Sequence, residues 1–261
     1  MTPHSFVVPA YGESPHLRSC LESLASQSRI SPVIVATPTP NAHIAALADE
    51  FGASLRINPS GGGIGIDWNF ALSCATSRWV TIAHQDDIYL PRFAASTMDA
   101  VQRNPDASLV FTAYAERVGD AVREQTTLLR IKRALLELGF LGGERAATRF
   151  FKTNTLRFGC AIPCPAVTVD MGRGPFRFRE DLRLNLDWAA WLVSARQPGA
   201  FVYVRDVLMH HRVHADSETS AGIAGGLRAM EDRALLRMLW PGPIADAIAG
   251  TYGIAYRSNQ A

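Results

Sequence analysis

Three features predict an α/β fold with a mostly parallel central sheet flanked by helices and a C-terminal helical extension. Short β-rich runs alternate with helical segments from the start to about Tyr114. The apolar run Trp79 to Ala83 passes almost directly into two adjacent carboxylates, Asp86 and Asp87, followed by Pro91. A glycine-rich stretch, Gly61-Gly62-Gly63-Ile64-Gly65, opens a helical segment.

Each element follows from local signals. Ser5 to Val8 reads as the first strand, His16 to Ser26 as a helix and Pro32 to Ala36 as the second strand. Asn41 caps a helix running to Phe51, which Gly52 ends. Ala53 to Ile57 gives a third strand, Gly65 to Thr76 a third helix, and Trp79 to Ala83 the strand that delivers the carboxylates. Pro91 suits the first turn of a helix reaching about Asn104, and Ser108 to Tyr114 completes a Rossmann-like half over residues 1–115. Residues 116–219 change rhythm: a helix over Thr127 to Leu138, isolated strands at Ala166 to Val169 and Phe201 to Val204, and a helix over Asp187 to Gln197 marked by Trp188, Trp191, Leu192 and Ala195. Residues 220–261 carry two helices broken at Trp240-Pro241-Gly242-Pro243. Their Leu, Ile and Ala content would suit burial against a second copy in a homodimer.

At 261 residues and 48% hydrophobic content the chain can bury a sizeable core. A net charge of +2 gives no electrostatic basis for nucleic-acid binding. No apolar run reaches the length of a membrane span, and the amino terminus lacks the order of a signal peptide, so a cytoplasmic location is expected. The helix containing Leu128, Leu129, Arg130, Ile131, Lys132 and Arg133 is amphipathic and packs on the sheet or lies on a membrane surface, which would make the protein peripheral. Four cysteines, Cys20, Cys74, Cys160 and Cys164, are too few and too irregular for a disulfide framework or zinc site, so free thiols are expected.

In an open sheet the ligand crevice lies at the carboxyl ends of the strands, here Pro9 to Glu13, Thr37 and Asp86-Asp87. Two neighbouring carboxylates there repel each other and must be protonated, solvated or bridged by a cation. Hard oxygen ligands favour Mg2+ or Mn2+, and such an ion calls for a phosphate to complete its shell, which points to a nucleotide-bearing substrate. Adjacent residues on an extended strand point to opposite faces, so unless the chain turns here only one carboxylate can reach the ion. Tyr11 offers a ring to stack on a nucleobase. His210, His211 and His214 gather beside Arg212, a density that suits a site or a packed strand edge, and the guanidinium can make a two-pronged phosphate contact.

Together these pieces resemble family 2 glycosyltransferases of the GT-A fold. Val7-Val8-Pro9-Ala10-Tyr11 is similar to the family's V-x-P-x-Y, and Gly63 to Asn69 to its G-x-x-x-A-R-N. Ala83-His84-Gln85-Asp86-Asp87 resembles L-D-x-D-D, Leu186-Asp187-Trp188 the acidic residue before an aromatic helix, and His211 to Thr219 the segment Y-R-x-H-x-x-S-x-T. The chain departs from the pattern where Thr37-Pro38-Thr39 replaces the acid ending the second strand, where Trp68 replaces Arg, and where His84 replaces the first Asp. The resemblance implies a nucleotide-sugar donor held by Pro9, Tyr11, Glu13, Thr37, Asn58, Gly63, Asn69, Asp86 and Arg212, a Mn2+ or Mg2+ ion on Asp87 and His214, and Asp187 as general base. Ser217 and Thr219 would order the loop over the donor.

A single base acting on a single hydroxyl suggests one displacement with inversion at the anomeric carbon. Glu180 and Asp181 are rival bases. The acceptor is a hydroxyl-bearing saccharide, lipid-linked glycan or small molecule. Two alternatives stand beside transfer: a nucleotidyltransferase, which would need a basic, glycine-rich phosphate loop that Ala10 to Ser14 does not supply, and a relative that binds nucleotide sugar without turnover.

Overall fold

The computed structural model describes residues 3–214 and 226–258, the last seven of these by their backbone alone. Ser217 and Thr219 lie outside the described residues. The strands are β1 (His4–Pro9), β2 (Val33–Thr37), β3 (Ser54–Ile57), β4 (Trp79–Ile82), β5 (Ile88–Tyr89), β6 (Ala107–Val118), β7 (Ala121–Arg123), β8 (Arg145–Ala146), β9 (Val167–Asp170) and β10 (Ala200–Arg212). The helices are α1 (Leu17–Ala25), α2 (Ala42–Glu50), α3 (Ile64–Ser73), α4 (Phe93–Arg103), α5 (Thr127–Phe140), α6 (Arg149–Asn154), α7 (Leu186–Ser194), α8 (Leu227–Leu236) and α9 (Gly242–Ser258).

All the strands join one sheet in the order β3-β2-β1-β4-β9-β6-β10-β5, with β7 on β6 and β8 on β10. The first four strands are parallel, as the alternating pattern predicts. Beyond β4 the sheet is mixed, because β9 enters antiparallel between β4 and β6, while β6 and β10 run parallel. The side chains of β1 alternate between two cores: Val7 packs with Trp68, Leu72, Trp188 and Trp191, whereas Phe6 and Val8 pack with Leu17, Leu21, Ile44 and Phe93. Helices α3 and α7 thus cover one face of the sheet, and α1, α2 and α4 the other.

Local chemistry sets the ends of the elements. The Asn41 side chain accepts the Ile44 amide at 2.9 Å, and Gly52, at φ +63, releases the chain from α2, both as expected from the sequence. Glycines 61, 62 and 63 all adopt positive φ (+48, +115 and +146), so the loop before α3 takes a path that other residues rarely follow. Gly65 permits α3 to approach its neighbours closely: a Cβ there would meet the Arg179 carbonyl oxygen at 2.6 Å.

Candidate active site

The site is built at the carboxyl ends of β1, β4 and β10. After β4 the chain turns, with the Asp87 amide donating to the His84 carbonyl at 3.1 Å, so Asp86 and Asp87 do not alternate as on an extended strand. Asp86 faces outward. One of its carboxylate oxygens accepts the Ser14 hydroxyl at 3.0 Å from the β1–α1 loop, the other lies 3.4 Å from His214 Nε2, and its carbonyl accepts Arg212 Nε at 2.8 Å. The His16 ring stands against that of His214, their centroids 5.2 Å apart.

Asp87 faces inward and is 1% exposed. His211 Nδ1 lies 3.1 Å from one of its oxygens, and the Arg212 amide donates to the same oxygen at 2.9 Å. Burial alone would raise its pKa, but the charge and hydrogen bond of His211 outweigh this and hold the carboxyl below its ordinary value. His211 moves the opposite way: burial would lower it, but Asp87 raises it. The pair joins the carboxylate turn to the end of β10. Asp87, expected on the metal, is thus enclosed and occupied, and the turn re-aims Asp86 towards His214 instead.

The loop between β1 and α1 lies across this turn. Gln85 accepts the Tyr11 amide at 3.0 Å, Thr39 accepts the Gly12 amide at 2.8 Å, and the Tyr11 ring is 67% exposed. Pro9 is half-buried at the end of β1 and Glu13 is exposed. Three expected donor contacts have other partners. Thr37 is fully buried; its hydroxyl accepts the Thr39 amide at 3.1 Å and its carbonyl accepts the Asn58 amide at 2.8 Å. Asn58 accepts the Ser60 amide and donates to Asp67, which shapes the glycine loop. Asn69 donates to the Phe178 carbonyl and Glu180 and accepts the Phe178 amide, clamping the segment ahead of α7. Gly63 remains exposed beside open space.

Asp187 occupies the first turn of α7, half-buried, with one oxygen accepting the Trp188 amide at 2.7 Å and the other facing the Cys160 thiol at 3.5 Å. Its placement depends on residues that carry no local motif. The buried Glu231 carboxylate on α8 accepts the amides of Arg183, Leu184 and Asn185 at 2.8–3.0 Å, and Asp232 accepts the Asn185 side-chain amide at 2.9 Å. Nothing in the spacing of Glu231 ties it to residue 183. Its acidic character inside an otherwise ordinary helix is the only sequence signal. The rivals Glu180 and Asp181 are exposed and paired with Arg177 and Arg179 respectively.

His84 Nδ1 lies 3.9 Å from Asp87, and burial holds its pKa below the ordinary value against the opposing pull of that carboxylate. The chemistry of the donor set fits a divalent ion in part. Asp86 and His214 offer a hard carboxylate and an imidazole at one point, yet among the described residues no three His, Cys, Asp or Glu side chains converge to hold a metal. An ion there would draw its remaining ligands from phosphate and water.

A sheet of this order, with acidic groups at the carboxyl ends of its strands and a carboxylate opening an aromatic helix, defines a GT-A glycosyltransferase. The model of the family Glycosyl transferase family 2 matches residues 5–164, more than half of the chain, and the protein belongs to that family. Among solved structures the chain is similar to S. aureus TarS 1-349 in complex with UDP-GlcNAc, at 13% identity and a TM-score of 0.67 over 95% of this chain and 70% of that one. It is likewise similar to the mannosyltransferase PcManGT from Pyrobaculum calidifontis in complex with GDP-Man and Mn2+, at 15% identity and a TM-score of 0.64 over 96% and 69% of the two chains. Glucosyl-3-phosphoglycerate synthase from Mycobacterium tuberculosis in complex with UDP matches at 15% identity and a TM-score of 0.52, over 86% and 78%. No curated protein sequence matches the chain. The protein is therefore a glycosyltransferase of the nucleotide-sugar-dependent class, which displaces the nucleotidyltransferase alternative. Among the described residues no helix is long and apolar enough to cross a membrane.

Proposed function

We propose that the protein transfers a sugar from a nucleoside-diphosphate sugar to an acceptor hydroxyl with inversion, using Asp187 as general base and a divalent ion at Asp86 and His214. The observation that carries this reading is a pair of carboxylates held in different ways: Asp86, 3.4 Å from His214, and Asp187, fixed at the start of α7 by the Trp188 amide. Asp187 takes the proton of the acceptor hydroxyl. The acceptor oxygen forms the new bond to the anomeric carbon from one side while the bond to the β-phosphate oxygen breaks on the other, and the electron pair leaves with the diphosphate. Manganese or magnesium, when bound, neutralises charge on that leaving group.

In this reading the metal role passes from Asp87 to Asp86, and Asp87 holds the end of β10. Asp86 has the exposure and the His214 partner that metal binding needs, whereas Asp87 is committed to His211 and to the Arg212 amide. Arg212, with its Nε on the Asp86 carbonyl, is held where its remaining donors can meet a phosphate. The exposed ring of Tyr11 serves as the platform for the nucleobase, while Thr37, Asn58 and Asn69 act through the loops they hold.

The test is incubation of the protein with manganese and a panel of UDP-, GDP- and TDP-sugars, with and without acceptor mixtures, while nucleoside diphosphate release is followed. Slow donor hydrolysis in the wild type is expected. In Asp187→Asn, hydrolysis and transfer should fall about a hundred- to ten-thousandfold with donor affinity unchanged. Donor binding without turnover in the wild type under all acceptors would instead favour the binding-only reading.

A further inference from the structure

Lys132 and Arg133, adjacent on α5, both turn towards Tyr114. Lys132 Nζ donates to the Tyr114 hydroxyl at 2.9 Å, and Arg133 Nη2 donates to the Tyr114 carbonyl at 3.3 Å. Both side chains are half-buried, and among the described residues neither has a carboxylate partner. Elsewhere on this chain arginines are commonly matched to acids, as in Arg18–Glu50, Arg78–Asp170 and Arg205–Glu137. Burial would lower the Lys132 pKa, but the Tyr114 hydroxyl beside it outweighs burial and raises it, so the ammonium keeps its charge in a half-buried place.

The location gives the pair a purpose. The two residues line a hollow with Tyr114, Ala161, Pro163 and Tyr203. Ala161 follows Cys160, whose thiol faces the Asp187 carboxylate at 3.5 Å, and Lys132 lies close enough to that thiol to bear on its charge. The hollow therefore adjoins the base, where an acceptor must present its hydroxyl, and the Tyr114 ring stands edge-on to that of His211, 6.2 Å between centroids, so the hollow also borders the donor-facing end of β10.

We propose that Lys132 and Arg133 form an anion-binding subsite for the acceptor, so that the acceptor carries a phosphate or carboxylate group near the hydroxyl that is glycosylated. The proposal deepens the glycosyl-transfer reading and rests on it. It explains why two basic residues sit inside an apolar wall, and it narrows the acceptor from any hydroxyl compound to an anionic one.

Inorganic phosphate is the probe. Its binding is titrated by calorimetry into full-length protein already saturated with manganese and a nucleoside diphosphate, so that the donor's own phosphate site is filled. Millimolar binding by the wild type is expected, with at least a tenfold loss in Lys132→Met, retention in Lys132→Arg, and retention in Tyr114→Phe, which removes the phenol but leaves the cation. Nucleoside diphosphate affinity should stay within twofold of wild type in all three. Equal phosphate binding by wild type and Lys132→Met, or no phosphate binding by the wild type, overturns the proposal. So does a Lys132→Met variant that loses nucleoside diphosphate rather than phosphate, since the cation would then serve the donor. If the wild type binds phosphate but neither binds nor hydrolyses any nucleotide sugar, the transfer reading fails while the anion subsite stands.

Discussion

The indole of Trp68 lies against the imidazole of His84, with ring centroids 4.8 Å apart and planes inclined at 40°. These are the two positions at which the chain departs from the Arg of A-R-N and the first Asp of L-D-x-D-D. The departures are therefore one coupled change: a pair expected to carry opposite charges is replaced by two stacked neutral rings, and Phe178 packs edge-on to the other side of the indole at 4.9 Å. Restoring the acid alone places a second carboxylate near Asp87, to which His84 Nδ1 now stands at 3.9 Å, without the arginine expected to balance it.

His84→Asp is accordingly expected to destabilise the fold by about 3 kcal/mol, because it adds an unpaired acid near others, and Trp68→Arg by a similar amount, because it removes a buried indole packed between His84 and Phe178. The double variant should recover about 1–3 kcal/mol of the summed loss. Urea denaturation of the four proteins in a double-mutant cycle measures this coupling, and strict additivity would show that the two positions are independent.

Asp86 and Asp87, adjacent in sequence, should fail in different ways. Asp86→Asn is expected to keep its melting temperature within a degree or two and to lose manganese-dependent nucleoside diphosphate affinity by tenfold or more. Asp87→Asn should lower stability by about 2–3 kcal/mol through loss of the charged bond to His211 and the Arg212 amide. Thermal melts paired with calorimetric titration separate the two, and a stable Asp87→Asn protein without metal binding would reverse the assignment.

Glu231→Gln tests how the base is held. An amide nitrogen cannot accept the bonds that the carboxylate takes from residues 183, 184 and 185. The expected result is a fall of at least tenfold in kcat with the donor KM nearly unchanged, since the donor-side residues are remote from α8. Steady-state kinetics reads the split.

Stability should depend on pH in the range where histidines titrate. His4 is enclosed between Ser31 and Thr81, and burial lowers its pKa to about 3 from 6.5. Between those values the unfolded chain binds a proton that the folded chain does not, so stability rises with pH. From pH 7.5 down to 5 this one group should remove about 2 kcal/mol. His211 acts in the opposite sense: its raised pKa gives stability that is present below 6.5 and lost as pH climbs through the folded value. Denaturation series in His4→Gln should show a flatter acid limb, and in His211→Gln a flatter neutral one.

Most of the first 115 residues could be read directly because their signals are local: the Asn41 cap, the Gly52 stop, the glycines before α3 and the alternation along β1. Strands β5, β7 and β8 span only two or three residues and carry no periodicity to detect. The polar end of β10 was equally hidden, since His210, His211 and Arg212 give no hydrophobic alternation and become a strand only through their pairing with Ala115, Glu116 and Arg117. The acidic pair was legible as a site but not in its orientation, because the turn that swings Asp86 outward and Asp87 inward is fixed by His211, 124 residues later. The role of Glu231 was hidden for the same reason: its partners are 46 to 48 residues earlier.

The grip of Glu231 on the segment before α7 also bears on the order in which the enzyme matures. A polypeptide leaving the ribosome has both β4 and β10, with Asp86 and His214, before residue 231 has been made. If Asp187 is the base as proposed, it has no fixed station until α8 docks, and a nascent or prematurely terminated product would retain sugar nucleotides without consuming them. Arrival of the tail is then the event that arms the catalyst.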